Sequence, residues 1–197
     1  MQLTRPLVLA SNSPRRQQLM REMGCTFRVD VRPTDESFPA DMPIAVVPAF
    51  LARQKADRFR SDLGDQLVLC ADTIVVVDSD ILNKPADADE AVQMLRRLSG
   101  RAHQVMTGVC LLSAEETVSF TDVVTVVFNP LDDYEIHAYV EKYRPFDKAG
   151  AYGVQEPIGM IGIQRIEGSF YTVMGLPVHR VYQALKRYEV RTKIYNP

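Results

Sequence analysis

The stretch Leu7-Val8-Leu9-Ala10-Ser11-Asn12-Ser13-Pro14-Arg15-Arg16-Gln17-Gln18 decides how this chain is read. Four apolar residues predict a short strand. Pro14 predicts the first residue of a helix, with Ser13 as its N-cap. Strand and helix meet within a few residues, a junction whose free backbone N–H groups attract anions. The first helical turn carries Arg15 and Arg16, and Arg16 stands where a capping box would hold Glu. The helix dipole makes that end positive, so two cations there cost stability unless an anion joins them. Ser11 and Ser13 add hydroxyl donors, and arginine forks bind phosphate bidentately. The stretch points to a grip on a polyphosphate. The competing reading is a surface helix start whose arginines are solvated or paired with an acid such as Glu22.

Beyond this junction strand and helix signals alternate. Phe27 to Val31 reads as a strand, Arg32 to Asp41 as a polar loop, and Pro43 or Val46 to Ser61 as a helix. Gln66 to Val77 is nearly all apolar and β-branched, which predicts a buried strand. Asp78-Ser79-Asp80 predicts a hairpin turn into Ile81-Leu82, and Ala88 to Leu98 a helix stopped by Ser99-Gly100. Two long strands, about Gln104 to Leu112 and Thr117 to Phe128, predict a twisted antiparallel pair. A helix from Leu131 to Val140, a Gly-rich loop from Asp147 to Gly162 and a short strand from Gln164 to Glu167 follow. A last helix runs from Pro177 to about Tyr188, and the polar tail from Arg191 to Pro197 is expected to be loose. Mixed order with hairpins predicts one α/β or α+β domain over residues 1–197, its core about 7–188, rather than a clean doubly wound sheet.

Composition supports one substantial core: 197 residues, 46% hydrophobic and 24% charged, which excludes a disordered chain. A net charge of -2 argues against a broad face for duplex nucleic acid, so any cationic site must be local. Cys25, Cys70 and Cys110 are odd in number and lack zinc spacing. The apolar run near the start is too short for a signal peptide, and no stretch approaches the roughly 20 apolar residues of a membrane span. A cytoplasmic, reduced protein without membrane contact is expected.

Asp72 carries the sharpest chemical signal. It interrupts the apolar strand at Ala71-Asp72-Thr73, where an acid is poorly tolerated unless paired, hydrogen-bonded or on a metal. It is a structural cap, a ligand for a divalent cation, or a base toward water. Lys55, in a helical stretch, and Lys84, fixed before Pro85, are candidate partners. With Arg15 and Arg16 they would balance most of a triphosphate's roughly four negative charges. Asp35-Glu36 is an acidic loop pair, ordinarily solvated, with a metal carboxylate as the other reading. Gln155 closes the block Asp147-Lys148-Ala149-Gly150-Ala151-Tyr152-Gly153-Val154-Gln155, and its amide offers one donor and one acceptor, a match for the imide edge of uracil or thymine. His103, His137 and His179 have no metal spacing and read as structural or surface.

Taken in series, Ser11 to Arg16, Ala71 to Thr73, Asn83-Lys84-Pro85, Ser99-Gly100-Arg101, Thr107-Gly108, Asp147 to Gln155, and Gly168-Ser169 with Gly175-Leu176-Pro177 resemble the Maf family of nucleotide pyrophosphatases. The match runs from about Leu7 to Leu185, and the Asp147 block resembles the branch acting on dTTP and UTP. The resemblance implies a fold of the inosine-triphosphatase type, a mixed, bent β-sheet flanked by helices with a central cleft. It implies hydrolysis of a nucleoside triphosphate to the monophosphate and pyrophosphate with Mg²⁺ or Mn²⁺. By the same resemblance Asp72 is the proton acceptor and Glu36 the loop carboxylate near the metal; Asp72, with Glu36, is also expected to hold the ion, and the division of its work between base and ligand stays open. Arg15, Thr73 and Gln155 tune substrate choice, while Arg16, Lys55 and Lys84, with the Ser11 hydroxyl, bind substrate. Asn83 stands where Glu or Gly is common, and Glu156-Pro157 replaces the usual Gly after Gln155, a departure that bears on the base pocket. Related proteins are often dimers, which leaves a homodimer open. Two other readings stand beside this one: a nucleotide-binding regulator of septum formation without turnover, and the same hydrolysis on modified purine triphosphates.

Overall fold

A computed structural model describes residues 1–190; the tail expected to be loose lies outside the described residues. The junction read from sequence is present: β1 (Leu7–Leu9) leads into α1 (Pro14–Glu22), with Pro14 first in the helix and the Ser13 side chain accepting from the Arg16 N–H. Next come β2 (Arg28–Val29), α2 (Val47–Asp57), β3 (Leu67–Val77) and β4 (Asp80–Leu82). The β3–β4 turn places Asp78 and Ser79 at φ 52 and 66°, the left-handed pair of a two-residue hairpin. Then follow α3 (Ala88–Leu98), β5 (Ala102–Leu112), β6 (Thr117–Phe128) and α4 (Asp133–Tyr143). The rest is α5 (Pro157–Gly162), β7 (Ile163–Glu167), α6 (Phe170–Val173) and α7 (Val178–Leu185).

The strands form one mixed sheet in the order β2-β1-β3-β5-β6-β7, with β4 also on β3. β2, β1 and β3 run parallel, whereas β3, β5, β6 and β7 are antiparallel neighbours. Period-two alternation splits β3 between two cores. Leu67, Leu69 and Ala71 join Leu19, Met20, Leu95 and Val181 on one face. Val68 and Cys70 pack on Ala52, Ala56 and Phe59 of the α2 region, and Ile74 and Val76 on Val47 and Leu51. Each fully buried Leu or Val contributes about 1.5–3 kcal/mol, so a strand apolar on both faces has nowhere else to go. The three cysteines are free and buried.

On one edge β3 changes partner partway along. Leu67–Leu69 pair with β1 and Val75–Val77 pair with β4. Ala71, Asp72 and Thr73 fall between the two pairings, so the sheet has a notch there and side chains from both faces of β3 reach one opening. This is the central cleft.

Four local expectations differ in detail. The second helix stops at Asp57 and is followed by a separate 3₁₀ turn, Arg60–Asp62, and the second strand shortens to two residues. The span expected to be a Gly-rich loop contains a 3₁₀ turn at Ala149–Ala151 and the helix α5, with Pro157 in its first turn. Helix α6 was not read at all. Elements of four to six residues hold too little of a 3.6-residue period to stand out from a loop.

Helix α2 lies against β5 at Gly108, which is opposite Asp72 in the ladder. A Cβ there would sit 2.0 Å from the Pro48 carbonyl carbon and 2.2 Å from the Ala49 nitrogen, both backbone atoms. Gly108→Ala should therefore push α2 outward, costing about 2–3 kcal/mol and lowering Tm by about 5–10 °C in a thermal melt. An unchanged Tm would mean that α2 is not seated as described.

His103 supplies a pH handle. Its ring is buried edge-on to Phe128 and Tyr152, Nε2 lies 2.8 Å from the Tyr152 hydroxyl, and Nδ1 has no hydrogen-bond partner among the described residues. Burial pushes its pKa down to about 4 from 6.5. Between those values the unfolded chain binds the proton and the folded chain does not, so stability falls as pH drops from 6.5 towards 4. The loss from this group should reach about 2 kcal/mol at pH 5 relative to pH 7. Urea midpoints measured from pH 7 to pH 5 should fall more steeply in the wild type than in His103→Gln; parallel slopes would contradict this assignment.

Candidate active site

The notch in the sheet opens into a cleft of about 430 Å³, a usual size for a small-molecule site. Every residue singled out from sequence lines it: Ser11, Arg15, Arg16, Glu36, Lys55, Asp72, Thr73, Lys84 and Gln155. Six cationic and three acidic side chains face the cleft, a surplus of three positive charges in a chain whose net charge is -2. Low-dielectric walls lined by one sign of charge concentrate ligands of the other sign.

Asp72 is held by a lysine. Lys55 Nζ donates to Asp72 Oδ1 at 2.5 Å and lies 2.8 Å from Glu36 Oε1, so one ammonium bridges the strand acid and the loop acid. The Lys55 and Asp72 side chains are only 18% and 14% exposed, so the pair is too shielded to be screened like a surface bridge. Lys55 arrives from the last turn of α2, whose Ala52 and Ala56 pack under the sheet. Burial would raise the pKa of Glu36; the hydrogen bond and charge of Lys55, with Lys84 and Arg16 beyond, outweigh it and hold the carboxyl below the usual range.

The N-terminal turn of α1 forms the second wall. Arg16 Nε donates to the Gly175 carbonyl at 2.8 Å, Nη2 to Thr73 Oγ1 at 3.0 Å, and Nη1 to Ser11 Oγ at 3.4 Å. Its direct partners are neutral, and no carboxylate lies within ion-pair distance among the described residues. Burial pushes its pKa down, with the charge of Asp72 working in the opposite direction. The Thr73 hydroxyl is also 2.9 Å from that of Thr107, which donates to the Thr172 carbonyl at 2.9 Å. Arg15 reaches across the cleft to Asp147 at 3.0 Å, and Glu22 instead accepts from Gln18. Lys84 is exposed and makes no ion pair among the described residues.

Gln155 lies on the third wall, and its Oε1 is buried without a hydrogen-bond partner among the described residues. Beside it Lys148, 8% exposed, places Nζ 2.7 Å from Asp147 and 3.1 Å from Glu156. Lys148 and Thr107 were not singled out from the sequence. Thr107 had a usable signal, a hydroxyl in the otherwise apolar run of residues 105–112, the same kind of signal that marked Asp72.

Among the described residues no group of three or more His, Cys, Asp or Glu side chains could cage a metal. Asp72 and Glu36 nevertheless converge on one point, and a cation, the Lys55 ammonium, is stable there. Two hard carboxylates beside a cationic wall suit Mg²⁺ or Mn²⁺, which are bound by one or two carboxylates and completed by phosphate oxygens and water.

Comparison with known proteins gives the family. Residues 6–188 match the family described as Maf-like protein. A dTTP/UTP pyrophosphatase of Bacteroides thetaiotaomicron is 51% identical, over 92% of this chain and 95% of that protein. Proteins of the same name from Porphyromonas gingivalis and Cytophaga hutchinsonii are 50% and 44% identical, over 91% and 97% of this chain and 92% and 85% of theirs. Among solved structures the Ham1 protein of Staphylococcus aureus superposes with a TM-score of 0.51 over 91% of this chain and 98% of its own, at 15% identity. That likeness concerns the fold alone, and it is the mixed, helix-flanked sheet with a cleft that the sequence led us to expect. By family match and by close relatives over nearly its whole length, the chain belongs to the Maf family.

Proposed function

We propose that this protein is a pyrophosphatase that hydrolyses dTTP and UTP to the monophosphate and pyrophosphate. The observation that carries the reading is the Lys55 ammonium shared by Asp72 and Glu36 inside a cleft with surplus positive charge. The shared name of relatives 44–51% identical supports the substrate class. No helix among the described residues is long and apolar enough to cross a membrane. Three free, buried cysteines fit a reducing compartment, the cytoplasm.

Substrate enters with its phosphates towards α1. Arg16, already fixed by Gly175, Thr73 and Ser11, has guanidinium hydrogens left to donate, and Arg15 and Lys84 add charge at the rim. A divalent ion held by Asp72 and Glu36 would supply charge neutralisation across the phosphates. Lys55 engages Asp72 Oδ1, which leaves Oδ2 to accept a proton from water. The water oxygen bonds to the α-phosphorus, the bond from that phosphorus to the α–β bridging oxygen breaks, and its electron pair leaves on pyrophosphate. Preorganised cations facing the departing charge supply most of the acceleration. Gln155 reads the imide edge of the base, and Thr73 and Arg15 border the sugar and phosphate path.

Assay of UTP, dTTP, CTP, GTP and ATP with Mg²⁺ or Mn²⁺ should yield monophosphate and pyrophosphate, fastest from dTTP and UTP. Binding without any product would favour the regulatory reading, and purine preference would reject Gln155 as a uracil reader. Asp72→Asn should lower kcat by about 10²–10⁴-fold, the usual worth of a general base. Near-normal turnover in that variant would refute the assignment. Lys84→Ala should raise KM by about 10-fold while leaving stability within about 0.5 kcal/mol, because its side chain is exposed and makes no ion pair among the described residues.

A further inference from the structure

Behind Gln155 lies a half-buried carboxylate that the mechanism above does not use. Glu156 is mostly shielded, its side chain 19% exposed, and each of its oxygens has a partner. The Tyr139 hydroxyl, from α4, donates to Oε2, and Lys148 Nζ lies 3.1 Å from Oε1. The same Tyr139 hydroxyl accepts from the Gly153 N–H at 3.2 Å, and the Glu156 N–H donates to the Gly153 carbonyl at 3.0 Å. A Cβ on Gly153 would sit 2.7 Å from the Glu156 carboxyl carbon, so the carboxylate lies directly against this turn. Gln155 sits inside the turn whose two ends are pinned in this way.

Shielding a carboxylate is costly unless it is paired, and removing one partner leaves the charge uncompensated. Two partners from different elements, one on α4 and one on the cleft wall, hold it where a smaller side chain would leave the turn free. Lys148 also contacts Asp147, which contacts Arg15, so the network runs without a break from the base wall to the phosphate wall.

We infer that Glu156 is a positioning residue for base selection: clamped between Tyr139 and Lys148, its carboxylate sets the Gly153–Glu156 turn so that the Gln155 amide meets the imide edge of uracil or thymine. The inference rests on the pyrimidine reading proposed above. It predicts that loss of the clamp relaxes the choice of base more than it slows the chemistry.

Glu156→Gln keeps the shape and loses the charge. KM for dTTP and UTP should rise about 10-fold with kcat within about 3-fold, and the kcat/KM preference for dTTP over CTP should fall about 10-fold. Inhibition by inorganic tripolyphosphate, which has no base, should stay within about 2-fold of wild type. Tyr139→Phe keeps the ion pair and drops the bond to Gly153, and it should move the same ratio in the same direction. Wild-type base preference in both variants would overturn the inference, as would a parallel loss of kcat and tripolyphosphate binding. A wild type without pyrimidine preference would overturn the reading of the base pocket and this inference with it, and that result is distinguishable because it appears before any substitution is made.

Discussion

One ammonium shared by two carboxylates organises the cleft. Lys55 draws together an acid from the middle of a buried strand and an acid from a loop, groups with no other reason to approach each other. Alone, either carboxylate would repel the other and a triphosphate as well. Bridged, they share one ammonium that cancels half of their combined charge, in an otherwise cationic pocket. Much of the local fold serves this contact: α2 must lie close enough for Lys55 to reach β3, and Gly108 permits that approach by presenting no side chain to Pro48 and Ala49.

The second constraint is the change of partner along β3. A fully paired strand would bury Asp72 on one face and Thr73 on the other with the sheet between them. Because β1 stops pairing at Leu69 and β4 begins at Val75, the interval from Ala71 to Thr73 borders the opening from both faces. Lys55 can thus meet Asp72 from the α2 side and Arg16 can meet Thr73 from the α1 side without either crossing the sheet. Arg16 illustrates the cost. It is held by a carbonyl and two hydroxyls, which engage part of its guanidinium hydrogens and leave its charge unmatched, and an incoming phosphate would supply the missing anion.

Much of this was legible before any coordinates, and for definite reasons. Pro14 after Ser13 has few other meanings than a helix start, and two arginines in that turn conflict with its dipole unless a ligand resolves the conflict. Asp72 stood out because an acid within an apolar strand must have a partner. Its partner did not stand out: Lys55 reads like any solvated helical lysine until α2 is docked. The acid that Arg15 meets was not legible: the competing reading offered the nearby Glu22, whereas the contact is Asp147, 132 positions away in sequence. The Tyr139–Glu156–Lys148 clamp was invisible because side-chain pairing across elements leaves no periodic trace. The notch in β3 was equally hidden, since apolar character marks the strand as buried but not which neighbour pairs with which residue.

The crystal structure of the protein with Mn²⁺ and the α,β-imido analogue of dUTP would examine the shared acidic position itself through the anomalous signal of manganese. The signal should lie within coordination distance of both Asp72 and Glu36, with Arg16 on a phosphate oxygen and the uracil edge against Gln155. Manganese bound away from both carboxylates, or a nucleotide seated outside the cleft, would contradict the site described.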